Sequence, residues 1–218
     1  MNIEGASLNV KVECEITPGI GIHLVGLADM VVKESLLRVV TAVQSLGYGI
    51  PGKKVVINVQ PAFRKMAVPA SGLDLPVAIA LLVASGQLEL KEGLDLKHIT
   101  FYGELGLDGS IRDYGHGGHA VAAAAARHMT GEGVRPLLIT GETTAMQACM
   151  VLGVKTYAFL NLLDVIRFLE GKTDGVKQLV WNTPTFLQLV DYAMTEANIE
   201  KSEARKKKDA CMLSQAEF

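Results

Sequence analysis

From Leu8 to Ile16 apolar and polar residues alternate at period two, with Leu8, Val10, Val12, Cys14 and Ile16 on one side and Asn9, Lys11, Glu13 and Glu15 on the other, which predicts a half-buried strand. Thr17-Pro18-Gly19 then turns the chain, and Ile20 to Leu27 reads as the return strand of a hairpin. Asp29 is placed to cap a helix carrying Val32, Leu36, Val39, Val40 and Val43 on one face and ending at Gly47. Lys54 to Gln60 predicts a third strand, and Pro61 to Gly72 a loop. The apolar run Leu73 to Ser85 is about 13 residues long and carries Asp74, whereas crossing a bilayer takes about 20 apolar residues, so it predicts a buried helix.

Strands are expected at Ile99–Leu105 and Gly109–Arg112 around a turn at Leu107-Asp108-Gly109, followed by an Ala-rich helix from His119 to His128. Val134–Thr140, Glu142–Leu152, Val154–Phe159 and Leu162–Glu170 then alternate as strand, helix, strand and helix, the signature of parallel pairing. Composition shifts at Gly171-Lys172-Thr173-Asp174-Gly175, beyond which a helix from about Thr185 carries Phe186, Val190, Ala193 and Ala197 on one face and runs out into Arg205-Lys206-Lys207-Lys208. The expected organisation is a domain over 1–170 and a linker with an amphipathic helical tail over 171–218.

Composition narrows the class. The chain has 218 residues, 49% hydrophobic but only 6% aromatic, which suits an α+β core of Val, Leu, Ile and Ala. With 21 Lys+Arg against 23 Asp+Glu, net charge -2, no global field favours nucleic acid, so any such contact is local. Cys14, Cys149 and Cys211 are odd in number and far apart, and the start lacks a basic and apolar leader, which together lead us to expect a cytoplasmic protein.

Four segments carry a family resemblance. Gly19-Ile20-Gly21-Ile22-His23-Leu24-Val25-Gly26-Leu27-Ala28-Asp29 with Val32-Lys33-Glu34-Ser35 and Arg38, then Lys53–Val59, then Asp74-Leu75-Pro76-Val77-Ala78-Ile79-Ala80, and finally Gly103-Glu104-Leu105-Gly106-Leu107-Asp108-Gly109-Ser110-Ile111-Arg112, resemble the amino-terminal domain of Mg-chelatase-like AAA+ ATPases of the ComM/YifB kind. The resemblance covers about Ala6 to Glu170 and implies a compact mixed-sheet α+β domain of the Lon-protease proteolytic-domain type. In full-length members it implies a following AAA+ module linked to DNA processing. Two loops depart from the family pattern, Pro61–Gly72 and Gly115-His116-Gly117-Gly118-His119.

The chain itself shows neither of the two machineries the family suggests. The nearest approach to a phosphate-binding loop, Gly47-Tyr48-Gly49-Ile50-Pro51-Gly52-Lys53-Lys54, places Lys54 where magnesium needs a hydroxyl and runs from helix into strand rather than strand into helix. Registering Ser71-Gly72-Leu73-Asp74 on the Asp-Gly-Pro-Ser of Lon puts Asp74 at the nucleophile position and the lysine position near Gly118, so no Ser–Lys dyad is expected. Asp74 is therefore read as a structural cap of its helix, with Ser71 as a loop serine.

Two weaker constellations remain. His116 and His119 are the metal candidates, with Glu104, Asp108 and Asp113 near in sequence, but they sit among glycines rather than on a helix face, so no metal or other cofactor is expected. Lys53, Lys54, Arg64 and Lys65 flank the third strand as a possible phosphate-contacting patch. The expectation is a non-catalytic accessory domain serving an AAA+ module in cis or in trans, touching DNA weakly if at all, open to homo-oligomerisation and not membrane-bound; the alternative is a Lon-like serine peptidase or other hydrolase. A magnesium-chelatase subunit proper is a third reading that no residue here supports.

Overall fold

The computed structural model describes residues 10–26, 29–60, 70–112, 121, 137–148, 154–172 and 179–180. The chain divides into two compact units, Met1–Trp181 and Asn182–Phe218, and every described residue lies in the first. Among them the elements run β1 (Lys11–Thr17), β2 (Ile22–Val25), α1 (Asp29–Ser45), β3 (Lys54–Gln60), α2 (Asp74–Ala84), β4 (Ile99–Tyr102), β5 (Glu104–Leu105), β6 (Ile111–Arg112), β7 (Leu137–Thr140), α3 (Glu142–Ala148), β8 (Lys155–Ala158), α4 (Leu162–Leu169) and β9 (Leu179–Val180). The fold is mixed α+β, as composition and pattern led us to expect.

Among the described residues three sheets form: β1-β3-β2, β4-β7-β8-β9, and the ribbon β5-β6. In the first, β1 runs antiparallel to β3 from Lys11↔Gln60 to Thr17↔Lys54, and β2 runs parallel to β3 from Ile22↔Val55 to Val25↔Asn58. The expected hairpin between β1 and β2 is thus corrected: β3 lies between them. Val55, Ile57 and Val59 are wholly buried, whereas β1 and β2 keep exposed positions, so the most apolar strand takes the centre. Gly26, at the end of β2, has φ +99°, and a Cβ there would stand 2.0 Å from the Val59 carbonyl oxygen, so only glycine permits this approach of β2 to β3.

In the second sheet β4, β7 and β8 are parallel, and α3 links β7 to β8, as the strand–helix alternation predicts. Two residues of β9 close the sheet antiparallel to β8, at Tyr157↔Val180 and Ala158↔Leu179; a strand that short has no period to announce it. The run expected as one strand over 99–105 breaks at Gly103, where β4 stays with β7 and β5 crosses to β6. The turn after β5 is as expected: Ser110 N–H and Oγ both donate to Asp108 Oδ1, at 3.0 and 2.6 Å.

The buried helix is α2, entered through a 3-10 turn at Ala70–Leu73. It packs against α1, β1, β4 and β5, with Leu75, Val77, Ala78, Ile79, Leu81 and Leu82 inside. Full burial of an aliphatic side chain of this size contributes about 1.5–3 kcal/mol, so α2 is held by packing over most of its surface, with Pro76 and Ala80 only partly covered. No helix among the described residues is long and apolar enough to cross a membrane. The helix expected over 119–128 and the tail helix from 185 lie outside the described residues, apart from Val121, which is helical and buried.

Candidate functional site

The polar centre of the described unit is Asp74, the first residue of α2, whose side chain is wholly buried. Its carboxylate accepts from Arg38 Nε at 2.7 Å on Oδ2 and from an Arg38 terminal nitrogen at 3.3 Å on Oδ1. Ser35 Oγ also donates to Oδ1, and the Leu105 backbone N–H to Oδ2 at 3.2 Å. The cap expectation needs correcting here. Leu73 stands at the N-cap position without a side-chain cap bond, and the Leu75 amide, one of the free donors at the start of α2, goes to the Gly103 carbonyl at 3.0 Å. Asp74 keeps the favourable place beside the helix dipole, but its bonds join α1, α2 and β5.

Each partner is delivered by local structure. Ser35, Val39, Ala42 and Val43 share one face of α1 at helical spacing, and all four are buried, so the hydroxyl is carried into the core by the apolar stripe around it. Arg38, one turn on, lies beside Ser35 and leaves its guanidinium partly exposed. Leu105 comes within reach because Gly103 is clamped at both ends: its N–H donates to the Gly72 carbonyl at 2.9 Å while its own carbonyl takes the Leu75 amide. Gly72 in turn must be glycine, since a Cβ there would stand 2.1 Å from Cε2 of the buried Tyr102 ring.

Burial pushes the Asp74 carboxyl above its ordinary range, and the bonds from Arg38, Ser35 and Leu105 hold it back only in part. The hydrogen bond to Asp74 holds Arg38 more firmly protonated, with the charges of Asp74, Glu104 and Glu34 adding to the effect. A buried carboxylate engaged by a guanidinium, a hydroxyl and an amide is neither open to substrate nor free as a nucleophile. Chemically the arrangement is a cross-link.

Of the other sequence candidates, the described ones, Lys53 and Lys54, do not gather here. Lys53 is exposed, and Lys54 opens β3 with its stem against Gly19. The seven residues of β3 put Lys54 and Gln60 about 20 Å apart, at opposite ends of the strand. Arg64 and Lys65, which follow Gln60, lie outside the described residues, as do His116 and His119. Among the described residues no group of three His, Cys, Asp or Glu side chains could hold a metal ion. Arg38 and Ser35 escaped assignment although both stand in the family-like segment; the available signal was a serine on the apolar stripe of α1.

The Asp74 centre draws together three of the four segments on which the resemblance rests. A family model described as ChlI, subunit ChlI of Mg-chelatase, matches residues 12–137, more than half of the chain. The chain belongs to the ChlI family. This ChlI-family chain is 34% identical over 166 residues to competence protein ComM of Haemophilus influenzae and 35% identical over 166 residues to YifB of Escherichia coli, covering 75% of itself and 30% of each relative. It is also 36% identical over 104 residues to Rv2897c of Mycobacterium tuberculosis, over 47% of this chain and 20% of the relative. It thus spans about a third of the length of the ComM and YifB proteins it matches.

Proposed function

We propose that this ChlI-family chain is a non-catalytic accessory domain of the ComM/YifB kind, of Lon-like topology, that serves an AAA+ module supplied in cis or in trans and linked to DNA processing. The observation that carries this reading is the state of Asp74. Where the resemblance to Lon calls for a serine nucleophile stands a carboxylate, wholly buried and bonded to Arg38, Ser35 and Leu105. Such a group positions secondary structure and leaves acyl transfer without an attacking atom. The segment around Lys53 supports the same reading for nucleotides: the chain enters it from α1 and leaves it as β3, so no free helix N-terminus follows to receive a phosphate. The name of the relative ComM, competence protein, fits a DNA-linked role.

The test is a pair of assays on the purified chain, phosphate release from ATP and fluorophosphonate labelling with casein cleavage. Both should match a mock-purified control. ATP turnover abolished by Lys53→Ala, or labelling abolished by Ser71→Ala, would overturn the reading and restore the hydrolase alternative.

A further inference from the structure

A cleft of about 510 Å³ opens between the two larger sheets, lined by Val10, Lys11 and Val12 on one side, by Ile99, Thr100 and Phe101 on the other, and floored by Pro76, Ile79 and Ala80 of α2. Consecutive residues of a strand point to opposite faces, so a cleft that meets Lys11 with Val12 of β1 and Ile99 with Thr100 and Phe101 of β4 meets the strands at their edges. The topology agrees: β1 is the outer strand of β1-β3-β2, and β4 the outer strand of β4-β7-β8-β9. Among the described residues β1 pairs only with β3 and β4 only with β7. Two strand edges thus border a single cleft with an apolar floor. Its size falls within the range of built binding sites.

The charged residues that line this cleft are lysines, Lys11 on the β1 side and Lys97 on the β4 side. Each already holds a carboxylate two residues away in sequence, Lys11 with Glu13 and Lys97 with Asp95 at 3.0 Å. Both lysines are about two-thirds exposed, and exposed pairs of this kind contribute little, so neither of these two pairs bars an incoming carboxylate.

We propose that the cleft binds an extended, acidic segment of a partner protein as an added strand between β1 and β4. The backbone of the segment pairs with the strand edges, alternate apolar side chains rest on Ile79 and Ala80, and flanking carboxylates meet Lys11 and Lys97. Nucleic acid fits less well, because its bases would face an apolar floor and its backbone offers no N–H donor to a strand edge.

The experiment uses the full chain, isotope-labelled, and the synthetic peptide acetyl-Glu-Val-Thr-Val-Glu-amide. The amides of residues 10–12 and 99–101 should shift on titration and exchange more slowly with solvent. The same peptide N-methylated at alternate backbone nitrogens should bind at least tenfold more weakly, and so should the unmodified peptide to a Lys11→Gln/Lys97→Gln variant. Because N-methylation alters only the ligand, that arm does not depend on the variant folding. Shifts confined to other residues, equal binding of the N-methylated peptide, or an oligothymidylate that displaces the peptide and produces the same shifts would overturn the proposal.

Discussion

Arg38 and Asp74 lie 36 residues apart in sequence, and Nε of the one stands 2.7 Å from Oδ2 of the other, with the carboxylate wholly buried and the guanidinium about a quarter exposed. Taking two charges out of water costs several kcal/mol per ion, and the attraction between them returns much of it only while both are present. Removing the cation alone strands the anion.

Arg38→Met should therefore lower stability by about 3 kcal/mol at neutral pH, the usual scale for breaking a buried pair. The loss should shrink on acidification, because the stranded carboxyl can neutralise itself by taking up a proton. Urea denaturation at pH 7 and pH 5 measures both values. An equal loss at the two pH values would mean that Asp74 does not depend on Arg38 for its charge.

In the intact chain the Asp74 carboxyl is raised above its ordinary range, mainly by burial. A raised carboxyl binds its proton more readily when folded than when unfolded, so its contribution is fully present below the ordinary value and falls away as pH rises through the folded one. Asp74→Asn should remove that component. The stability difference between the parent chain and the variant should decline from the ordinary aspartate range upward and then level off; a difference that grows with pH would reverse the sign of the argument.

Thr140 and Thr156 are buried on neighbouring strands β7 and β8, and among the described residues neither hydroxyl has a hydrogen-bond partner. An unsatisfied buried polar group costs about 1–3 kcal/mol, and valine has nearly the same shape. Thr140→Val and Thr156→Val should each stabilise the fold by about 1 kcal/mol, read as a rise in thermal midpoint. A fall would show that the hydroxyls are satisfied in solution.

DNA binding by the isolated chain should be weak and carried by phosphates, given a net charge of -2 and so few basic residues around β3. With about three phosphates neutralised on a single strand, log affinity should fall against log salt with a slope of roughly -2. Fluorescence anisotropy at two salt concentrations, with Arg64→Glu/Lys65→Glu alongside, reads it. Tight, salt-insensitive binding, or binding indifferent to the charge reversal, would remove this patch from the account.

The sequence revealed individual elements better than their partnerships. Period-two alternation located β1, and the unbroken run after Asp74 located α2, because both patterns are local. That β3 would separate β1 from β2 was hidden, since alternation marks which face is buried and says nothing of which strand lies alongside. The break at Gly103 was hidden for a related reason: Ile99 to Leu105 is continuous in apolar character, and only the clamp from Gly72 and Leu75 ends β4 there. At the site, Asp74 drew attention as a charge inside an apolar helix. Its partners did not, because the direction a buried carboxylate takes is decided by segments more than thirty residues away on either side.

The placing of β3 between β1 and β2 also bears on how the chain folds. A hairpin of β1 and β2 would have closed locally within microseconds. Instead β1 must wait for a strand whose first paired residue, Lys54, lies beyond both β2 and α1, so the first sheet carries a larger loop-closure cost than a local hairpin would. During synthesis the amino-terminal strand leaves the ribosome before its partner exists, and the helix α1 has time to form first. The sheet is completed from its centre, once β3 arrives to receive a neighbour on each side.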